Sequence, residues 1–355
     1  MNTVLSFLHS NRQRLGLAGY GVPKRLTSVM ITPRFRASRH VVFLVLPQER
    51  PEPVLVAKVP RLAGASASVA REAENLQAIQ ASRPGGFDSI PRLIAFEMVA
   101  GHQLLVETAL VGRPLDPGMV RRDVDGCCQV ITRWLVELQQ ATRIPADSGN
   151  DWLVRLIERP LRYLERVFPL TAVEEKWLAQ TWQWIEPLRQ AQVPLVCEHG
   201  DLSHPNIFML GNGQTGVVDW ELAEPQGLPA YDLFFFLTYV AFARSRAHHS
   251  GSYLAAFHNA FFGPAAWTRP YVADYARQMS LSSRTLTSLF VLSWARYMAN
   301  LLLRLDGGET GVEPKPLASE TADWLRGNRY YRLWQHTVMH LDELNWHDIL
   351  PGENP

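Results

Sequence analysis

Hydrophobic runs of strand length dominate the first third of the chain. They are rich in aliphatic and β-branched residues and are separated by Pro, Gly and charged positions, a pattern that predicts β-strands. The predicted strands are HVVFLVL (40–46), PVLVAKV (53–59), RLIAFEM (92–98) and HQLLVET (102–108). One helix interrupts them. It starts near Ser66, a candidate N-cap, and carries Val69, Leu76 and Ile79 at helical spacing.

The pattern becomes helical after GRPLDPG (112–118), so the chain changes class near Val111. This change predicts an N-terminal domain over residues 1–110 and a C-terminal domain over residues 111–355. A strand-rich island from 194 to 225 interrupts the helical part. In it, the turn Gly-Asn-Gly-Gln separates IFML from TGVVDW, which predicts a hairpin.

Composition excludes several classes of protein. Hydrophobic residues make up 47% and charged residues 19% of the 355 positions, as in a globular protein. The net charge of +1 gives no argument for a nucleic-acid or membrane partner. Three cysteines without metal-ligand spacing favour a reducing, cytoplasmic location. The apolar segment 289–303 contains Arg296, so a buried helix explains it better than a membrane span.

Candidate chemistry is concentrated in the island. Asp201 and Asn206 lie five residues apart in HGDLSHPN (199–206), and Asp219 follows across the predicted hairpin. A carboxylate and an amide are oxygen ligands of the kind that Mg²⁺ takes together with substrate phosphates. The remaining carboxylate can accept a proton from a hydroxyl group. These are parts that phosphoryl transfer requires.

The strings HGDLSHPN and VVDWE (217–221) resemble those of the aminoglycoside phosphotransferase and choline kinase-like family. The resemblance implies a bilobal, protein-kinase-like α+β fold, with a small, mainly antiparallel sheet lobe carrying one helix and a larger, mostly helical lobe. It implies that Asp201 is the catalytic base, that Asn206 and Asp219 hold magnesium, and that His199 supports their loop. The activity implied is transfer of the γ-phosphate of ATP, or of GTP, to a small-molecule hydroxyl.

The same resemblance assigns roles in the first domain. Lys58 in a strand and Glu72 on the following helix resemble the family's phosphate-positioning Lys–Glu pair. The segment from Thr108 to Leu110 looks like the hinge whose backbone meets the nucleobase. The family's glycine-containing phosphate loop is replaced here by glycine-free TPRFRASRH (32–40). Side chains of Ser38 or of the arginines in this segment are then candidates for phosphate contacts.

Three alternatives compete with an active small-molecule kinase. The glycine-free loop favours a catalytically silent module that binds a nucleotide or a partner protein. His199, Asp201 and His204 have spacings that zinc hydrolases also use, although Asn206 and Asp219 then have no role. A protein kinase fits less well, because Asp219 precedes Trp-Glu rather than Phe-Gly.

For an active small-molecule kinase, the expected acceptor is small, hydroxylated, and neutral or cationic.

Overall fold

The computed structural model describes most of the chain and divides it into two compact units. The described residues are 2–32, 40–61, 66–145, 151–305, 316–344 and 346. The first unit comprises Met1–Asp116 and His199–Pro225, and the second comprises Pro117–Glu198 and Gln226–Pro355. The domain boundary between residues 110 and 111 stays a prediction.

The first unit contains a five-stranded sheet and a three-stranded sheet. The strands of the larger sheet are β1 (Leu26–Ile31), β2 (His40–Pro47), β3 (Leu55–Pro60), β4 (Leu93–Val99) and β5 (His102–Thr108). The smaller sheet consists of β6 (Gly112–Pro114), β8 (Ile207–Leu210) and β9 (Thr215–Val217). The α-helices that the structure describes in this unit are α1 (Thr3–Ser10) and α2 (Ser66–Ala81). The four strands and the helix predicted from the hydrophobic pattern are therefore present.

The larger sheet is antiparallel throughout, in the order β1-β2-β3-β5-β4. Alternation along β5 sends Leu104 and Val106 to one core, which also contains Leu8 of α1. Leu105 points the other way and packs on Val69 of α2. Because Lys58 of β3 pairs with Leu105, its side chain lies on the face that α2 covers.

The predicted hairpin in the island is formed by β8 and β9. Ile207 pairs with Val217 and Met209 with Thr215, and the Leu210 amide donates to the Gln214 carbonyl at 2.8 Å. The Val218 amide donates to the Asn206 carbonyl at 3.0 Å, just beyond the last strand pair. This hairpin therefore brings the segments before β8 and after β9 together.

The second unit is mostly helical. Its α-helices are α3 (Pro117–Arg122), α4 (Val124–Ala141), α5 (Arg159–Val167), α6 (Ala172–Ile185), α7 (Tyr231–Arg244), α8 (Ser250–Phe261), α9 (Arg269–Met279), α10 (Ser283–Leu305), α11 (Ser319–Gly327) and α12 (Arg329–Met339). A π-helical turn, Val154–Glu158, precedes α5, and 3-10 turns span Glu186–Arg189 and Leu341–Glu343. This unit also contains the short strand β7 (Val196–Glu198), and strand β10 (Glu224–Gly227) begins in the first unit and ends in the second. A further 3-10 turn, Trp220–Leu222, belongs to the first unit.

Helix α10 is the centre of the second unit. Its stretch Ser283–Arg304 is long and apolar enough to cross a membrane. However, 78% of the apolar 18-residue segment within this stretch is buried inside the protein, as in the core helix of a globular unit. Arg296 within it forms a buried ion pair with Glu198, with N–O distances of 2.8 and 2.7 Å. The charge that interrupts this apolar segment is thus paired. The chain accordingly has the predicted α+β architecture, an antiparallel sheet unit and a mostly helical unit.

Candidate active site

A buried lysine lies at the centre of the candidate site. Lys58 is 5% exposed, and its Nζ lies 2.5 Å from Glu72 Oε1 and 3.2 Å from Asp219 Oδ1. A third carboxylate belongs to Glu107 on the neighbouring strand, with Oε1 at 3.9 Å from Nζ. Glu107 stands two residues from Leu105, the cross-strand partner of Lys58, which makes it the diagonal neighbour on the same face. The predicted Lys58–Glu72 pair is therefore formed, within a larger cluster.

Helix α2 is attached to the segment that carries Asp219. The Trp220 amide donates to Glu72 Oε1 at 3.0 Å. Asn75 Nδ2, one turn further along α2, donates to the carbonyls of Trp220 and Ala223 at 2.9 and 3.0 Å. The buried Trp220 side chain donates from Nε1 to the Val217 carbonyl at 2.9 Å. Glu72 thus fixes both the lysine and the backbone that follows Asp219.

Asp219 adopts an unusual backbone conformation. Its φ of 70° and ψ of 65° lie in the left-handed region, which costs a non-glycine residue energy and is often found at functional sites. The bonds of Trp220 to Glu72 and to Val217 hold this conformation in place. Its side chain remains 35% exposed. One carboxylate oxygen, Oδ1, faces Lys58, and Oδ2 is the atom that could bind a cation.

The loop carrying Asp201 is closed by its own hydrogen bonds. The Ser203 amide donates to the Asp201 carbonyl at 2.9 Å, and the Asn206 amide donates to the Ser203 carbonyl at 2.8 Å. Asn206 Nδ2 then donates to the Asp201 carbonyl at 3.0 Å and to Asp201 Oδ2 at 3.1 Å. With Nδ2 turned toward Asp201, Oδ1 is the Asn206 atom that can bind a cation.

His199 holds this loop against the hairpin. Its Nε2 lies 3.0 Å from the Val218 carbonyl, and its Nδ1 accepts from the Asp201 amide at 3.2 Å. Burial lowers the pKa of His199 to about 4, so the ring is neutral near pH 7. These contacts require the proton on Nε2. Since both nitrogens serve the backbone, His199 is a poor zinc ligand, which speaks against the hydrolase interpretation.

Gly200 permits the close approach of two backbone segments. Its φ is +83°, and a Cβ at this position would lie 2.5 Å from the Leu222 carbonyl oxygen. Any side chain there would be strained and would push the Asp201 loop away from the segment after Asp219.

The electrostatics of the cluster keep Lys58 charged. Burial alone would lower the pKa of Lys58, but the carboxylates of Glu72, Asp219 and Glu107 outweigh burial and hold it well above its ordinary value. Burial would raise the pKa of Asp219, but Lys58, followed by His40, offsets this and gives a net lowering. Asp219 is therefore ionised near neutral pH, the form in which a carboxylate binds a cation.

Glu107 was not identified from the sequence as a member of this cluster. Burial is the main cause that raises its pKa to about 8; Lys58 acts in the opposite direction, and Glu72 and Asp219 add to the rise. Glu107 is 2% exposed. The signal that could have found it is a carboxylate within the apolar run LLVET (104–108) of β5. At pH 7 the Glu107 carboxyl is therefore mostly neutral.

The pKa of Glu107 leads to a prediction for Glu107→Gln. Between pH 4.5 and about 8 the folded carboxyl keeps a proton that the unfolded chain has lost, so wild-type stability falls as pH rises through this window. The Gln variant lacks this titration. Its free energy of unfolding should therefore increase relative to wild type from pH 4.5 to 8, as measured by denaturant unfolding. Glu52→Gln, an exposed control, should show no such trend; a parallel dependence in wild type and Glu107→Gln would contradict the prediction.

The structure shows the surroundings of the segment predicted as a hinge, whose role stays a prediction. In the segment predicted as a hinge, the amides of Thr108 and Ala109 donate to the carbonyls of Arg92 and Val54, and so are already used within the sheet. Leu110 packs near Gly216 of the smaller sheet. In the glycine-free segment, residues 33–39, including Ser38 and the arginines, lie outside the described residues.

A sequence model of the phosphotransferase enzyme family matches residues 34–273, more than half of the chain. The chain belongs to this family. This membership makes the protein a small-molecule kinase and confirms the resemblance drawn from HGDLSHPN and VVDWE. A comparison with curated protein sequences gives no significant match.

Solved structures show the same fold at low sequence identity. A choline kinase from Streptococcus pneumoniae is 13% identical, with 93% of this chain and 99% of that chain covered and a TM-score of 0.54. The GDP complex of aminoglycoside 2'-phosphotransferase-IIIa is 15% identical, with coverage of 93% and 98% and a TM-score of 0.52. A Plasmodium vivax ethanolamine kinase is 11% identical, with coverage of 87% and 83% and a TM-score of 0.52. The phosphotransferase therefore has the predicted protein-kinase-like fold.

Proposed function

We propose that this phosphotransferase moves the γ-phosphate of magnesium-bound ATP to a hydroxyl group of a small amino alcohol, sugar or aminoglycoside-like acceptor. Asp201 is the proposed catalytic base. Asn206 and Asp219 are the proposed magnesium ligands, and Lys58, held by Glu72, is the proposed phosphate-binding cation.

The observation that carries this proposal is the linked geometry of Asp201, Asn206 and Asp219 in one compact unit. Asn206 contacts Asp201 through Nδ2, which leaves its amide oxygen for a cation. Asp219 contacts Lys58 through Oδ1, and its second carboxylate oxygen, Oδ2, is the proposed ligand of the cation. The hydrogen bond from the Val218 amide to the Asn206 carbonyl connects the two segments. One carboxylate and one amide oxygen, without sulfur or imidazole, suit Mg²⁺ completed by phosphate oxygens and water.

The charges of the cluster fit a metal-bound nucleotide. Lys58 is positive and Asp219 is negative near pH 7, whereas Glu107 is mostly neutral; burial raises the pKa of Glu72 above its ordinary value. The ionised Asp219 attracts a divalent cation, while the lysine lies beside Asp219 to meet phosphate oxygens. Two solved neighbours, a choline kinase and an aminoglycoside phosphotransferase, were determined with AMP and GDP respectively. These complexes support a nucleotide donor, and ATP is the proposed one.

In the proposed reaction, the acceptor oxygen attacks the γ-phosphorus and forms a new P–O bond. The bond from the γ-phosphorus to the bridging oxygen breaks, and ADP leaves with that electron pair. Asp201 orients the acceptor hydroxyl by accepting its hydrogen bond and takes its proton as the new bond forms. Lys58 contacts the phosphates and opposes their negative charge. Magnesium, when bound, neutralises charge on the transferring and leaving phosphates.

The acceptor class follows from the family and from what the second unit can offer. Several aromatic residues after Asp232 are candidates for contacts with a cationic or sugar acceptor. Phe257 and Tyr275 are fully buried and belong to the core, whereas Tyr253, Trp267 and Tyr271 are partly exposed. Aromatic faces bind quaternary or protonated amines as well as the apolar faces of sugars. Amino alcohols and aminosugars are therefore the first compounds to test.

A phosphotransfer screen tests the proposed function. The full chain is incubated with Mg²⁺, either ATP or GTP, and a panel of amino alcohols, sugars and aminoglycosides, and phosphorylated products are identified by mass spectrometry. We expect a phosphate ester of at least one neutral or cationic acceptor, with one nucleoside diphosphate released per product. Products confined to protein side chains or to polyanionic metabolites would overturn the acceptor assignment.

A further inference from the structure

Three histidines converge in the second unit. His258 lies on α8, His336 lies on α12, and His340 follows the end of α12 at a spacing of four residues from His336. Residues four apart on a helix share one face, and paired histidines at this spacing are a common metal-binding arrangement. The family chemistry described above uses none of the three.

The geometry of the cluster is compatible with a single bound ion. One ligand nitrogen from each ring lies within 4.8 Å of the other two. His258 Nδ1 and His336 Nε2 are 3.2 Å apart. Two nitrogens that bind one tetrahedral zinc at about 2.0–2.1 Å are separated by roughly 3.4 Å, so this pair needs little movement.

The carboxylate of Glu343 lies next to one ring nitrogen of His340 and one of His258. Glu343, in the 3-10 turn Leu341–Glu343, places Oε1 at 2.6 Å from His340 Nδ1 and Oε2 at 3.5 Å from His258 Nε2. Protons on those two nitrogens leave the lone pairs on His340 Nε2 and His258 Nδ1. Metal-bound histidines usually donate their second N–H to a carboxylate or a carbonyl in this way.

We propose that His258, His336 and His340 bind one divalent transition-metal ion, with zinc as the preferred metal. Three imidazole ligands suit zinc and its neighbours better than the hard cation Mg²⁺, which prefers oxygen. Three protein ligands leave the fourth tetrahedral position to water.

The surroundings of the cluster support this assignment. The side chains of His258 and His340 are each 33% exposed, so an ion can reach the cluster from solvent. His336 packs among aromatic rings, including Phe257 and Phe262.

The bound ion would join parts of the second unit that are distant in sequence. It would connect α8 to α12 and to the turn after α12. An ion that binds only the folded arrangement shifts the folding equilibrium toward the native state. The assignment therefore predicts that zinc raises the melting temperature.

Metal titration of the full chain, prepared without a polyhistidine tag, tests the proposal. The protein is treated with chelator, dialysed into excess Mg²⁺ to occupy oxygen-ligand sites, and titrated with Zn²⁺ against a chromophoric chelator. Titration with Co²⁺ reports tetrahedral nitrogen coordination by its visible absorption. We expect one equivalent of tightly bound metal and a higher melting temperature with Zn²⁺.

Variants separate this site from adventitious binding. His336→Gln and His340→Gln should each lose the bound equivalent, whereas His248→Gln, an exposed histidine beside α8, should keep it. Glu343→Gln should keep the stoichiometry and weaken affinity by roughly 10- to 100-fold, as loss of a histidine-orienting partner does. If His336→Gln is unstable, the more exposed His340→Gln remains informative. Absence of a bound equivalent in the wild type, or its retention in both histidine variants, would overturn the proposal.

Discussion

The Asp201→Asn variant is expected to lose phosphotransfer by roughly 10²- to 10⁴-fold, the usual contribution of a general base. Asn keeps the size of the side chain and an oxygen that can accept from Asn206 Nδ2, now 3.1 Å from Asp201 Oδ2. It cannot take a proton from the acceptor. The fall should therefore appear in kcat with little change in the KM for ATP, measured by product formation with an acceptor identified in the screen.

Asp88→Asn is the matched control for this variant. It removes the same charge from the same unit, but the Asp88 side chain is 93% exposed and pairs with Arg92 at the surface. Its kcat should stay near the wild-type value. An Asp201→Asn variant with wild-type kcat would show that another group accepts the proton.

The Lys58→Met variant is expected to lose about 3–5 kcal/mol of stability, the cost of removing one partner from a buried ion pair. Lys58 is 5% exposed, and its removal leaves Glu72 and Asp219 as uncompensated neighbours. The deficit should shrink at acidic pH, because protonation removes the uncompensated charges. Denaturant unfolding at several pH values measures this effect, with the exposed Lys24→Met variant as control.

A double variant distinguishes electrostatics from lost packing. Adding Glu72→Gln to Lys58→Met removes one of the two carboxylates that have lost Lys58 as their partner, and it should recover part of the lost stability. Both variants should also weaken nucleotide binding, because the proposed phosphate-binding cation, Lys58, is missing. If Lys58→Met is as stable as Lys24→Met near pH 8, the ion-pair cluster does not contribute to folding as described.

Much of the sheet unit could be predicted because its local signals agree with its packing. Four hydrophobic runs became β2 to β5, and the Ser66 helix buried Val69, Leu76 and Ile79 as its spacing indicated. The Gly-Asn-Gly-Gln turn placed the hairpin correctly. The candidate residues Asp201, Asn206 and Asp219 were recognisable because HGDLSHPN and VVDWE resemble the motifs of the family in type, spacing and order.

Residues that act through tertiary contacts were harder to find. Glu107 joins Lys58 only through the diagonal between β3 and β5, which depends on strand register. Asn75 has an ordinary helical position and becomes distinctive only through its bonds to the backbone after Asp219. His258 is separated by 78 residues from His336, so only folding brings the three histidines together. No local pattern encodes such pairings.

Calorimetry with MgATP on wild type, Asp201→Asn and Asp219→Ala tests most directly the proposed division between a proton-accepting carboxylate and a metal-binding carboxylate. Asp201→Asn should bind MgATP nearly as tightly as wild type, because the proposed role of the Asp201 carboxylate is to act on the acceptor hydroxyl and not on the nucleotide. Asp219→Ala should lose most of the magnesium-dependent part of the affinity, because a proposed metal ligand is missing. Equal losses of MgATP affinity in the two variants would contradict this division.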